Sequence, residues 1–336
     1  MTTITTLIPA YKKDYLAEVF WGLARQTFKD FRVILSDDSP DAEITRLIRD
    51  GHFAGPLAKL NLTVVRGPCN ARRNHEQLLE LWAGQTPLVH FHLDDDIIYP
   101  DFYRSHATAH GRAPCGVSVS RRWLSGSDGR PALELPIPDA IAQRNERIVD
   151  VGSETLFATT AAVCENWLGE LSNMVLSADA ARLYPMPPLN GLSYYALLDI
   201  GLVLEVSRHL PVVFIQDHLG VFRQHAEQTT TRNRHTHGGR VAFLAWVTYA
   251  LAAWREHRIS AQQAVNAVQI ASRRILQHFA DDEVMAVYFG LLERHAADLD
   301  QLHAAYTRFW NQLLASNDAT RPFAAAAPAE ATAEPA

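Results

Sequence analysis

The first hundred residues alternate short β-branched runs with helical patterns, and that alternation limits the fold more than any other feature of the chain. "TTITTLI" (2–8), "FRVILS" (31–36), "LTVV" (62–65) and "LVHFHL" (88–93) read as strands. Helical patterns lie between them, at about residues 14–26, 41–49 and 71–82. Strand and helix in strict turn build βαβ units on a mostly parallel sheet. Ligands of such sheets bind beyond the carboxyl ends of the strands. The polar clusters of this chain fall at those ends, at residues 9–11, 37–39, 66–74 and 94–96.

Beyond residue 115 the pattern loosens. "GVSVS" and "NMVLSA" read as strands, "SGSDGRP" (125–131) as a turn and "YPMPPLNG" (184–191) as a proline-rich loop. A helix is expected over "LSYYALLDIGLVLEVSRH" (192–209), then a strand over "PVVFIQD" (211–217). From residue 240 only helical periodicity remains, with "SAQQ" (260–263) fitting a capping box. Three segments are therefore expected: an α/β domain over 1–235, an all-helical extension over 236–316, and an Ala/Pro/Glu-rich tail over 317–336 that reads as disordered.

Composition narrows the class. Of 336 residues, 48% are hydrophobic, enough for a large core. The net charge of −6 offers no basic surface for nucleic acid. Cys69, Cys115 and Cys164 are scattered and odd in number, so they make neither a disulfide framework nor a zinc pattern, and a reducing cytoplasm is expected. The N-terminus lacks the basic and apolar regions of a secretory signal. The longest apolar run, 241–254, is shorter than the roughly 20 residues that span a bilayer. It reads as a buried helix, with an interfacial helix as the alternative.

The densest chemistry is "VHFHLDDDIIYP" (89–100). His90, His92 and Asp94 share one face of a strand. One reading is a binuclear metallohydrolase centre like the H-x-H-x-D-H motif of the metallo-β-lactamase fold, although Asp95 stands where its last histidine would be. A second takes Asp94 and Asp96 as a haloacid-dehalogenase-like nucleophile and acid, but that motif belongs after a first strand. A third takes the aspartates as a DxD clamp for Mg²⁺ or Mn²⁺ on a nucleotide diphosphate, since hard cations favour carboxylate oxygens.

The surrounding motifs favour the third. "TTLIPAYKKDYLAEVFWGLARQTFKDFRVILSDDSPD" resembles the opening of the family 2, GT-A-fold glycosyltransferases, with Lys12 where an Asn is usual. "NARRNHEQLLELWAGQ" and "LVHFHLDDDIIYPDFY" are similar to the family's next segments, in the same order, and the likeness extends over roughly residues 3–230.

The resemblance implies a Rossmann-like, mostly parallel sheet and an inverting transfer of a sugar from a nucleotide diphosphate, most often a UDP-sugar, to an acceptor hydroxyl. Pro9, Ala10 and Tyr11 would line the nucleotide pocket, Asp38 or Asp37 would accept from the base, and Arg73 would lie near base or phosphates. Asp94, Asp95 and Asp96 would divide ribose and metal between them; Asp94 and Asp96 are expected to do so, with Asp96 on the metal. His225, in "VFRQH", would be a further metal ligand and Arg223 a phosphate or acceptor contact. Asp199 matches the family's base, although Leu198 stands where Glu is common; Glu205 is the weaker choice. Residues 232–240 would be a lid or a linker. A glycan or glycolipid acceptor in surface polysaccharide or glycoconjugate synthesis follows at family level. The extension would dimerise or touch the inner face of a membrane. A nucleotide-sugar-binding protein without catalysis is the rival on the same fold.

Overall fold

A computed structural model describes residues 3–184, 188–194, 196–225 and 236–316. The chain divides into two compact units, Met1–Pro187 with Leu197–Arg232, and Pro188–Ala196 with Asn233–Ala336. Of the expected lid or linker, residues 232–235 lie outside the described residues and 237–240 open the helix His237–Arg255; the expected C-terminal tail, 317–336, lies outside them.

The first unit is a mixed α/β structure around one sheet. Its strands are β1 (Ile4–Ala10), β2 (Phe31–Asp37), β3 (Leu62–Arg66), β4 (Leu88–Phe91), β5 (Ile97–Ile98), β6 (Val117–Ser125), β7 (Pro131–Glu134), β8 (Ile148–Val151), β9 (Met174–Ser177) and β10 (Val212–Arg223). The order is β3-β2-β1-β4-β9-β6-β10-β5, with β7 on β6 and β8 on β10. β1, β2, β3 and β4 pair in parallel, as do β6 and β10, while β9 runs antiparallel between β4 and β6. Ile4, Ile8, Val33 and Leu35 pack with Val19, Phe20 and Leu23 of the helix Leu16–Ala24 into the core. The four expected N-terminal strands all form, and the helix Ala71–Trp82 has the expected bounds. It opens on Asn70, whose side chain accepts from the Arg73 N–H.

Two devices fix the turn that carries the aspartates. Gln26, fully buried, donates to the Tyr99 carbonyl at 2.7 Å and accepts from the Tyr103 N–H at 3.0 Å. Thr27 adds backbone and side-chain bonds to Pro100 and Asp101. The Gln-Thr pair after the first helix thus clamps the chain just beyond Asp96. On the other side, β5 pairs with Gly220 and Val221 of β10. A Cβ at Gly220 would stand 2.6 Å from the Ile97 carbonyl oxygen, so only glycine allows this approach.

One expected element differs. The helix near Asp199 begins at Leu198, not at 192, and ends at Ser207. Leu197 takes a left-handed conformation, which interrupts helix formation. The preceding carbonyls are already committed within the second unit: Ser193 accepts from the Trp310 indole and Ala196 from the Tyr249 hydroxyl.

The second unit contains the helices His237–Arg255, Ala261–Phe279, Glu283–His295 and Leu299–Ala315. Ser260 and Gln263 form the expected capping box, and Val268, Ile275 and Phe279 are buried. The apolar run 241–254 lies in the first of these helices with most of its side chains buried. No helix among the described residues is long and apolar enough to cross a membrane.

Replacing Gly220 with alanine is expected to lower unfolding stability by about 1–3 kcal/mol, as overpacking does. Urea unfolding monitored by circular dichroism checks this; an unchanged midpoint would contradict the close approach.

Candidate active site

The ends of β1, β2 and β4 assemble one polar cluster. The N–H groups of Tyr11 and Lys12 both donate to Asp94 Oδ2, at 2.7 and 2.6 Å. Asp94 is buried, and burial followed by the charge of Asp95 pushes its carboxyl up to about 6, against the opposing pull of Lys12 and the two N–H groups. Asp94 thereby fastens the β1 end to the β4 end. Tyr11 is left 54% exposed, an aromatic face free to meet a ligand. Pro9 is half-buried and Ala10 fully buried in the strand.

The adjacent aspartates separate sharply. Asp95 Oδ2 lies 2.5 Å from Lys12 Nζ and 3.0 Å from His225 Nε2. His225 packs on Tyr15, and the guanidinium of Arg223 stacks on the same ring. Asp96 points inward. Its Oδ1 accepts from the Arg223 N–H at 3.2 Å, and its Oδ2 is buried with no hydrogen-bond partner among the described residues. Burial, then Asp95 and Glu170, raise the Asp96 carboxyl well above the ordinary range. The geometry thus pairs Asp95, rather than Asp96, with His225.

Arg223 is fully buried and bonds to Asp95 O, Ser127 O and Glu18 Oε2 at 2.8, 2.6 and 2.6 Å. These bonds use its donors within the protein and make it a strut under the aspartates.

On β2, Asp37 is also consumed internally. It accepts from the N–H and hydroxyl of both Ser39 and Thr45, and although burial opposes this, those bonds hold its carboxyl below the ordinary range. Asp38 Oδ1 accepts from the Cys69 N–H. Arg73 is exposed in the first turn of the helix Ala71–Trp82.

A second charged group lies behind Asp96. Arg122 and Glu170, both largely buried, form a two-pronged ion pair at 2.5 and 3.0 Å. Glu170 is held by a capping box with Asn173, whose amide also donates to the carbonyls of Ser120 and Leu168. Gly169 precedes it with φ +107, where a Cβ would collide with Asn173 Oδ1 and the Arg122 guanidinium. Asp199 belongs to this group. Burial and the charge of Glu170 push its carboxyl up to about 7, while the Ile200 N–H and Arg122 oppose them. Its field also reaches Tyr184, which packs against Phe91 and His75. Glu205, the alternative base, is paired with Arg208 and His209.

The histidines of β4 are interior. His90 Nδ1 meets the Tyr103 hydroxyl and Nε2 the Ser172 carbonyl, each at 3.0 Å. Both rings are fully buried, which lowers His90 to about 3 and His92 well below the ordinary range. A histidine-led hydrolase centre finds no support here: among the described residues no three His, Cys, Asp or Glu side chains converge on a metal position. Asp95 and His225 do present one oxygen and one nitrogen donor side by side. That pair suits Mn²⁺ or Mg²⁺ whose remaining ligands come from a diphosphate and water.

Glu170 and Arg122 carry no motif and went unmarked in the sequence. Lys12 was legible only as a departure from the family's asparagine.

The sheet and its C-terminal helices are those of GT-A glycosyltransferases. The UDP-GlcNAc complex of S. aureus TarS residues 1–349 superposes with a TM-score of 0.57 at 14% identity, covering 94% of this chain and 91% of that one. The UDP complex of the same TarS fragment gives 0.54 at 13%, covering 96% and 93%. None of the curated proteins matches the chain in sequence. Residues 5–152 match the family described as Glycosyl transferase family 2.

Asp199→Asn should reveal the cost of this half-buried carboxylate. The folded-state pKa of about 7 lies above the ordinary 3.8, so the native state binds the proton more tightly and stability falls as pH rises through that window. The melting-temperature gain of Asp199→Asn over the natural protein should be larger at pH 8 than at pH 5; equal gains would contradict the raised pKa. With its strand-end cluster, the chain is similar over residues 5–152 to Glycosyl transferase family 2, and it has the fold of the GT-A glycosyltransferases.

Proposed function

We propose that the protein is a metal-dependent inverting glycosyltransferase that moves a sugar from a nucleotide diphosphate donor, a UDP-sugar, to an acceptor hydroxyl. One observation carries the reading. A carboxyl raised to about 7, Asp199, shares the field of Glu170 with Asp96. A base poised near neutral pH, with a carboxylate cluster that would hold a cation for the diphosphate, is what such a transfer needs.

In this reading Tyr11 stacks on the base, with Pro9 and Ala10 shaping the pocket floor. Asp38 accepts from the base, and Asp37 serves as the cap that holds the loop. Asp94 meets the ribose edge while keeping β1 and β4 together. Asp95 and His225 hold the divalent cation. When bound, that cation offsets the negative charge gathering on the diphosphate. Arg73, exposed at the mouth of its helix, reaches toward the phosphates.

Asp199 takes the proton from the acceptor hydroxyl. That oxygen bonds to the anomeric carbon as the bond from the same carbon to the diphosphate breaks. A single displacement with one base inverts the anomeric centre. Glu170 and Arg122 set the basicity of Asp199 from opposite directions. The UDP donor is supported by the resemblance of the strand-end motifs, and the TarS structures bound to UDP and UDP-GlcNAc share the fold. Glycoconjugate or surface polysaccharide synthesis in the cytoplasm, with the helical unit meeting an acceptor, a partner copy or a membrane face, completes the proposal.

The experiment is release of UDP from UDP-sugars with Mn²⁺, compared for the natural protein and Asp199→Asn. Removing the base should lower turnover by about 10²–10⁴-fold while UDP binding persists. The rate of the natural protein should rise with pH through about 7, the value at which Asp199 loses its proton. Undiminished turnover in Asp199→Asn would remove the base assignment, and no turnover of any nucleotide sugar would favour a binding protein.

A further inference from the structure

We propose that Lys12 is the resident counter-ion of Asp95, and that a divalent cation enters this site only by displacing the lysine ammonium, which couples metal uptake to arrival of the diphosphate. The inference deepens the reading above and rests on it.

Lys12 Nζ sits 2.5 Å from Asp95 Oδ2 and 3.9 Å from Asp94 Oδ1. The same Asp95 oxygen faces His225 Nε2 at 3.0 Å. The ammonium and a cation shared by Asp95 and His225 would therefore contact the same carboxylate oxygen. A dication there and an ammonium within bonding distance of the same oxygen repel each other strongly in a poorly hydrated pocket. One of the two has to leave.

The lysine is built to be the one that leaves. Its backbone stays fixed, because its N–H donates to Asp94 Oδ2 at 2.6 Å. Its side chain is 21% exposed, whereas the Asp95 side chain is 8% exposed, so the flexible stem has a route to solvent and the carboxylate does not. A compact ammonium on four methylenes can swing without moving the strand end.

Without a donor, displacement separates Lys12 from its carboxylate and gains one metal contact. With a nucleoside diphosphate present, the freed ammonium acquires a new anion beside it, and the metal acquires phosphate oxygens. Metal and diphosphate then strengthen each other's binding by the same factor, as linkage requires.

The test is Mn²⁺ binding to the full chain, read as loss of the free Mn²⁺ electron paramagnetic resonance signal, with and without UDP. The natural protein should bind Mn²⁺ weakly alone and on the order of 10-fold or more tighter with UDP. Lys12→Met should bind Mn²⁺ alone about 10-fold tighter than the natural protein and show a smaller UDP effect. Lys12→Arg, which keeps a cation on the carboxylate, should resemble the natural protein, and melting curves of both variants show that they fold. Lys12→Met binding Mn²⁺ no tighter than the natural protein, while both bind it with UDP, overturns the counter-ion role alone. Absence of Mn²⁺ binding in every protein, even with UDP, overturns the metal site and this inference with it.

Discussion

The bond pair from the Tyr11 and Lys12 N–H groups to Asp94 Oδ2 is the constraint on which the rest of the site depends. It joins the ends of two parallel strands that are neighbours in the sheet but 82 and 83 residues apart along the chain. Without it the β1 end would have two unsatisfied donors, and neither Tyr11 nor Lys12 would have a defined place. A buried carboxylate is costly unless hydrogen-bonded. Here the cost is offset by backbone donors, so the residue that fixes the frame also keeps a negative charge at the strand ends.

Two layers of support surround that bond. Gln26 and Thr27 clamp the chain after the aspartates, and β5 against Gly220 closes it from the other side. Behind them the Arg122–Glu170 pair sets the electrostatics of Asp96 and Asp199. A buried ion pair is weak evidence of added stability. Its effect here is on basicity, since Glu170 raises the Asp199 carboxyl and Arg122 restrains it. Lys12 belongs to the same scheme, an internal cation paired with Asp95.

Much of this was legible in the sequence. The strand runs 2–8, 31–36, 62–65 and 88–93 appear because β-branched and apolar residues cluster between polar ends, and each formed, with the carboxyl ends of β1, β2 and β4 in the cluster. The order of motifs then carried the family resemblance, which the match over residues 5–152 now supports. The division of labour among Asp94, Asp95 and Asp96 was not legible. Three adjacent carboxylates differ only in their partners, and the partners Lys12, Arg223 and His225 lie 83, 127 and 130 residues away. Glu170 and Arg122 were invisible for the same reason, because their meeting depends on β6 and β9 pairing across the sheet. The helix that carries Asp199 starts later than its apolar run suggests, since that run gives no sign that Ser193 and Ala196 serve the second unit.

The central claim is that the strand-end cluster around Asp95 binds a nucleoside diphosphate together with a divalent cation. Calorimetric titration of UDP into the protein with Mn²⁺, repeated on Asp95→Ala, tests it most directly. The account predicts one UDP per chain in the natural protein, dependent on Mn²⁺, and loss of that binding in a folded Asp95→Ala. Equal UDP binding by both proteins, or binding indifferent to Mn²⁺, would contradict it.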